Sequence, residues 1–206
     1  MGQFKNMKRQ IVVIHGGTTF NTRKEYISYL KNREVSIEKF KLQKDWKDAL
    51  EKELGEDFEV LAPQMPNKTN AHYEEWKIWF ERMVPFLNNN VVFIGNSLGG
   101  IFLAKYLSEN LFPNKIKATL LIAAPFDDKD MKESLTDFIL PSSLKKLTVQ
   151  SGKIYLIYSE DDPVVPFNHL NKYKNNLPDA EIIIFTDRKH FTQETFSEII
   201  KLIKNL

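Results

Sequence analysis

The hydrophobic pattern of this chain switches between two periods. Six short apolar runs rich in β-branched residues recur along it, at residues 11–14, 58–61, 91–94, 119–123, 154–158 and 181–185. Most read as nearly continuous apolar stretches rather than alternating ones, which is the pattern of parallel strands buried on both faces. Between them the period lengthens to that of a helix. Residues 46–54 place apolar side chains at 46, 49, 50 and 54, and residues 73–87 carry Trp76, Trp79, Phe80, Met83 and Phe86. Further helical patterns cover 101–107, 167–173 and 191–206. Strands alternating with helices predict an α/β fold of three layers, a mostly parallel six-stranded sheet with helices on both faces, in one domain over 1–206.

Two stretches break the alternation. Residues 21–57 are long for a single crossover and predict two helices. Residues 126–152 are mixed in character, with Asp127, Asp128 and Asp130 at their start and Pro141 within them. Connections at the carboxyl ends of parallel strands are where such folds place lids and pockets, so both are candidate entrance elements.

Composition narrows the class. The chain has 206 residues, enough for one sizeable core, and a net charge of +2 with both signs interspersed. That argues against a nucleic-acid-binding protein defined by bulk charge. There is no cysteine, hence no disulfide framework, no thiolate nucleophile and no cysteine-based zinc site. The polar, basic start is followed by only four apolar residues, and no run is long enough to span a membrane. The expected setting is the cytoplasm.

Candidate chemistry is densest where the third apolar run ends in Gly95-Asn96-Ser97-Leu98-Gly99-Gly100 and passes into a helical pattern. A serine at the tip of a sharp strand-to-helix turn projects its hydroxyl outward. Glycines two before and two after it lack a Cβ and let strand and helix approach closely. The Leu98 amide then sits at a helix N-terminus, where it can stabilise an oxyanion. A glycine-rich turn in this position could equally hold a phosphate; an acid and a histidine later in the chain decide between the two.

A serine hydroxyl needs a base that is itself oriented by a carboxylate, and on this kind of sheet the chain order is serine, acid, histidine. Of four histidines, His15 precedes the serine, and His72 and His169 read as solvated or structural side chains. His190 follows the last apolar run by a short loop, which places it at the carboxyl edge. The acid is expected just past a strand. Asp162, followed by Pro163, fits best; Asp161 is its rival, and Asp127 or Asp128 a third choice. Gly16-Gly17 after the first run can present a second oxyanion donor, Gly17 or Thr18, beside Leu98.

Taken together, Val13-Ile14-His15-Gly16-Gly17, the Gly95–Gly100 stretch, Asp162-Pro163-Val164-Val165-Pro166 and Lys189-His190-Phe191 resemble the α/β-hydrolase superfamily. The resemblance is to its small serine hydrolases of the retinoblastoma-binding-protein-9 and YdeN type, and it spans nearly the whole chain. It implies Ser97 as nucleophile, Asp162 as orienting acid, His190 as base, and Leu98 and Gly17 as oxyanion donors, with no metal or organic cofactor. The implied reaction is esterase-like cleavage of a small-molecule acyl substrate. Amide or thioester hydrolysis, or a non-catalytic interaction module on the same scaffold, are the alternatives. Lys189 stands where that group frequently has glycine, and the two leading strands of the full superfamily fold have no counterpart. Phe20, Phe126, Phe138 and Phe167 are expected to line an acyl pocket.

Overall fold

A computed structural model describes residues 7–42 and 44–206. Residues 1–6, the first part of the polar, basic start, and Gln43 lie outside the described residues. Six strands, β1 (Arg9–Ile14), β2 (Phe58–Leu61), β3 (Val91–Asn96), β4 (Ile116–Ile122), β5 (Lys153–Ser159) and β6 (Glu181–Phe185), form one sheet. Their order is β2-β1-β3-β4-β5-β6 and every neighbouring pair is parallel. This is the α/β-hydrolase fold.

The near-continuous apolar runs have the predicted cause. Along β1 and β3, odd and even positions feed different cores: Val12, Ile14 and Phe93 on one side, Ile11, Val13 and Ile94 on the other. The first face is covered by α3 (Tyr73–Met83), α4 (Leu98–Glu109), α5 (Lys145–Gln150) and α6 (Asn168–Asn176), which contribute Trp76, Phe80, Phe102, Leu147 and Tyr173. The second is covered by α2 (Trp46–Leu54) and α7 (Ser197–Lys204), through Trp46, Leu50, Ile199 and Ile203. The two edge strands, β2 and β6, are only partly buried.

Several boundaries differ from the sequence expectation for local reasons. The 73–87 pattern ends as an α-helix at Met83 and tightens into a 3-10 turn at Val84–Phe86, because Pro85 removes a donor. The 191–206 pattern becomes helical only at Ser197: Phe191 is buried but adopts a positive φ of 54°, outside the helical region. The hydrophobic periodicity there reports burial, not helix. Residues 21–57 hold the two expected helices, α1 (Arg23–Asn32) and α2, with a 3-10 turn at Ile37–Phe40 between them. Residues 126–152 hold a 3-10 turn at Thr136–Phe138 and α5.

Candidate active site

Ser97 is the single residue between β3 and α4. Its backbone lies at φ 55° and ψ −121°, a region L-residues rarely occupy. Such a conformation costs on the order of 1–3 kcal/mol. It is held by the Ser97 amide, which donates to Ile122 O at 2.8 Å, and by the Ser97 carbonyl, which accepts from the Gly100 amide at 2.8 Å. The fully buried first turns of α4, with Ile101, Phe102, Leu103 and Ala104 inaccessible, fix the helix against the sheet. The flanking glycines are steric necessities. A Cβ on Gly99 would lie 2.2 Å from Ile14 O, and one on Gly95 would lie 2.5 Å from Gly99 O. Leu98 opens the helix, so its amide has no acceptor within the helix.

His190 sits in the loop after β6, and Asp162 in the loop after β5. The His190 Nδ1 lies 2.8 Å from Asp162 Oδ2 and 3.0 Å from Oδ1. The Asp162 side chain is 2 % exposed and that of His190 18 %. Asp162 Oδ1 also accepts the amides of Val164 and Val165, which orients the carboxylate. With Nδ1–H donating to Asp162, the ring tautomer leaves Nε2 as the acceptor. The rival acids point elsewhere. Asp161 accepts from the Ser159 hydroxyl and the Lys189 amide, contacts that lower its pKa, the serine hydroxyl foremost. Asp127 pairs with Lys172, and Asp128 accepts from Ser134 and Leu135.

The residues around His190 are strained. Lys189 has φ 47° and Phe191 φ 54°, which explains why glycine suits position 189. The loop is anchored from the other side of the sheet, where Trp46 Nε1 donates to Phe191 O at 3.0 Å. Ser97 and His190 line the same cavity. No hydrogen bond joins them among the described residues; nucleophile–base bonds commonly tighten only with substrate in place.

The loop after β1 supplies the third wall. The Thr18 amide is committed to Lys68 O at 2.8 Å, so it is not free to meet an oxyanion; among the described residues the Gly17 amide has no such acceptor. His15 was set aside by sequence order, yet it is central here. Its Nε2 accepts the Met65 amide at 2.9 Å and its Nδ1 lies 2.6 Å from Gly16 O. Burial lowers its pKa, so the ring is neutral, with its proton on Nδ1.

The cavity has a volume of about 390 Å³. Its walls mix polar and charged groups, such as Thr18, Asp45, Lys47, Lys68 and Glu133, with apolar ones, among them Leu98, Pro125, Met131, Leu135 and Val164. None of the four phenylalanines expected to form an acyl pocket lines it. Phe138 is fully buried against Tyr73 and Trp76. Phe126 packs on Tyr173, Phe167 packs on the core below, and Phe20 lies against Tyr26 and Tyr29 in a neighbouring groove. Phe126, Phe138 and Phe167 anchor their loops on the core, whereas Phe20 lines the groove beside the cavity. The polar wall carries no periodic signal, because it is assembled from five separate connections.

His72 precedes α3 as its N-cap residue. His169 is fully buried rather than solvated, and its Nδ1 accepts the Phe126 amide at 2.9 Å. Its ring approaches Asp127 and Asp130, a grouping that resembles a cation site. The Lys172 ammonium already bonds both carboxylates at 2.8 Å, and the His169 Nδ1 lone pair is used, so the group is a structural ion pair.

A parallel sheet with this strand order, a serine on a strained strand-to-helix turn and a buried Asp–His pair at the carboxyl edge define an α/β-hydrolase. Comparison with known proteins places it more closely: the chain belongs to the serine hydrolase family, which matches residues 41–199. Serine hydrolase RBBP9 of Rattus norvegicus is 28% identical over 151 residues, 72% of this chain and 78% of that protein. The ydeN gene product of B. subtilis superposes with a TM-score of 0.76 at 18% identity, covering 96% of this chain and 98% of the other. The meta-cleavage product hydrolase of Pseudomonas fluorescens superposes with a TM-score of 0.66 at 14% identity, covering 97% and 90%. The chain is thus a serine hydrolase similar to the RBBP9 and YdeN proteins.

Proposed function

We propose that Ser97, Asp162 and His190 form the catalytic triad of an esterase-like enzyme that acts on small acyl compounds, with the Leu98 and Gly17 amides as its oxyanion hole. The observation that carries this reading is the buried Asp162 bonded to His190 Nδ1 at 2.8 Å, in the same cavity as the strained Ser97. His190 Nε2 takes the hydroxyl proton as Ser97 Oγ attacks the substrate carbonyl. The two amides hold the negative charge that develops on its oxygen. The bond to the leaving group then breaks, and His190 returns the proton to the departing atom. Water, deprotonated by the same imidazole, releases the acid from the acyl-serine. Asp162 keeps the ring in the working tautomer and stabilises its cation.

The charged side chains in the wall, Asp45, Lys47, Lys68 and Glu133, favour short or polar acyl groups over long aliphatic ones that would strip their water. Residues 1–206 act as one domain in this reading, with 126–152 forming part of the cavity rim through Met131, Glu133, Ser134 and Leu135. Turnover of p-nitrophenyl acetate by wild type and Ser97→Ala tests it. The variant is expected to lose activity by on the order of 10⁴-fold or more. Equal turnover by both proteins would overturn the assignment.

A further inference from the structure

The least protein-like surface of the molecule lies at 21–42. No residue in this span is buried, and neither α1 nor the turn at Ile37–Phe40 contributes to either core. It nevertheless carries large apolar side chains in the open: Leu30, Val35, Ile37, Phe40 and Leu42, the last two 73 % and 86 % exposed. Single exposed apolar residues are ordinary, whereas five within 13 consecutive residues mark a surface that something covers.

The charge says what kind of surface. From Arg23 to Leu42 there are six basic residues against three acidic ones, in a chain whose whole net charge is +2. Positive charge is therefore concentrated here and the remainder of the chain is acidic on balance. Lys31, Arg33 and Lys39 fall between the apolar positions along the chain. Long cationic side chains interleaved with aliphatic and aromatic ones suit the headgroup boundary of an anionic bilayer, where the stems lie in the apolar layer and the charges meet phosphate. A second copy of this chain would bring like charge to like charge.

We infer that residues 23–42 dock the protein on an anionic lipid surface. The segment adjoins the entrance to Ser97. Phe20 packs on Tyr26 and Tyr29 of α1, and the groove they form shares Thr19, Glu133 and Ser134 with the Ser97 cavity. Docking therefore sets that entrance beside the lipid headgroups. The inference is independent of the triad, since binding is measured without turnover.

Co-sedimentation of the full chain with phosphatidylcholine vesicles, with and without phosphatidylglycerol, tests it. Sedimentation is expected only with phosphatidylglycerol, and added salt releases the protein. Phe40→Asp/Leu42→Asp and Lys31→Glu/Lys39→Glu, all at exposed positions, each weaken partitioning by on the order of tenfold or more. Equal sedimentation with both vesicle types, none with either, or variants that bind like wild type would overturn the inference. A concentration-dependent dimer abolished by Phe40→Asp/Leu42→Asp would assign the face to a second copy and overturn it equally.

Discussion

His15 Nδ1 lies 2.6 Å from the carbonyl oxygen of Gly16. That carbonyl and the Gly17 amide are opposite ends of one planar trans peptide, so a bond to one end sets the direction of the other. With Nε2 held by the Met65 amide, the ring is fixed at both nitrogens. His15 is thus a positioning residue for the proposed oxyanion donor. His15→Phe should lower kcat for a p-nitrophenyl ester by roughly 10- to 100-fold with little change in KM, since the oxyanion forms only in the transition state. An unchanged kcat would contradict the role.

The same burial makes a pH prediction. His15 and His169 both have lowered pKa values, with desolvation the largest cause. The unfolded chain takes up these protons near the ordinary histidine value of about 6.5, the folded chain only at lower pH. Between the two, the unfolded state binds more protons, so stability falls as pH falls. Stability is full above about pH 6.5 and declines below it by at most about 1.4 kcal/mol per pH unit for each histidine. Urea titrations at neutral and mildly acidic pH should show the decline. His169→Gln, which retains an acceptor for Phe126, should flatten it. A wild-type stability that is constant across this range would refute the argument.

Asp162 and Asp161 are neighbours in sequence with separable roles. Asp162→Asn removes the acceptor that fixes the His190 tautomer and should cost on the order of 10⁴-fold in kcat. Asp161→Asn loosens the turn to Lys189 without touching the imidazole and should cost far less. Steady-state kinetics of the pair decide the matter; the reverse ranking would reassign the acid.

Trp46 links the far face of the sheet to the His190 loop. It is buried against Phe196 and bonds Phe191 O, next to the imidazole, while its own amide donates to Gln193 O. Trp46→Ala should destabilise the fold by about 3–5 kcal/mol in urea denaturation. Trp46→Phe keeps most of the volume but orphans the Phe191 carbonyl, and should cost about 1 kcal/mol together with a drop in kcat. A loss below 1 kcal/mol for Trp46→Ala would show that the anchor is unimportant.

The charged groups of the cavity give a last prediction. In a series of p-nitrophenyl esters, kcat/KM should be highest for short acyl chains and fall for long ones, because a long aliphatic chain would strip water from Asp45, Lys47, Lys68 and Glu133. A rise with chain length would contradict this.

What the sequence made legible follows from what carries periodic or positional signal. The runs at 91–94 and 154–158 announced buried parallel strands because both faces of β3 and β5 are covered. The Gly95–Gly99 spacing announced the elbow because the close approach of Ile14 O admits no side chain at Gly99. The pairing of Asp162 with His190 was legible from their order and their place after strands. Phe126, Phe138 and Phe167 face the core and Phe20 a neighbouring groove, a difference the sequence hides, since an aromatic residue in a loop looks the same whichever way it faces. Lys68 and Glu133 were invisible because their place in the cavity depends on how separate loops fold back. His15 has no place in the chain order of a triad, and its contact with the Gly16 carbonyl needs none.

The most direct test of the account is covalent. Purified protein treated with a fluorophosphonate should gain one adduct by intact mass, and peptide mapping should place it on Ser97. Ser97→Ala should gain none, and His190→Ala should react far more slowly. An adduct on another residue, or equal labelling of wild type and Ser97→Ala, would contradict the proposal that this serine is the nucleophile.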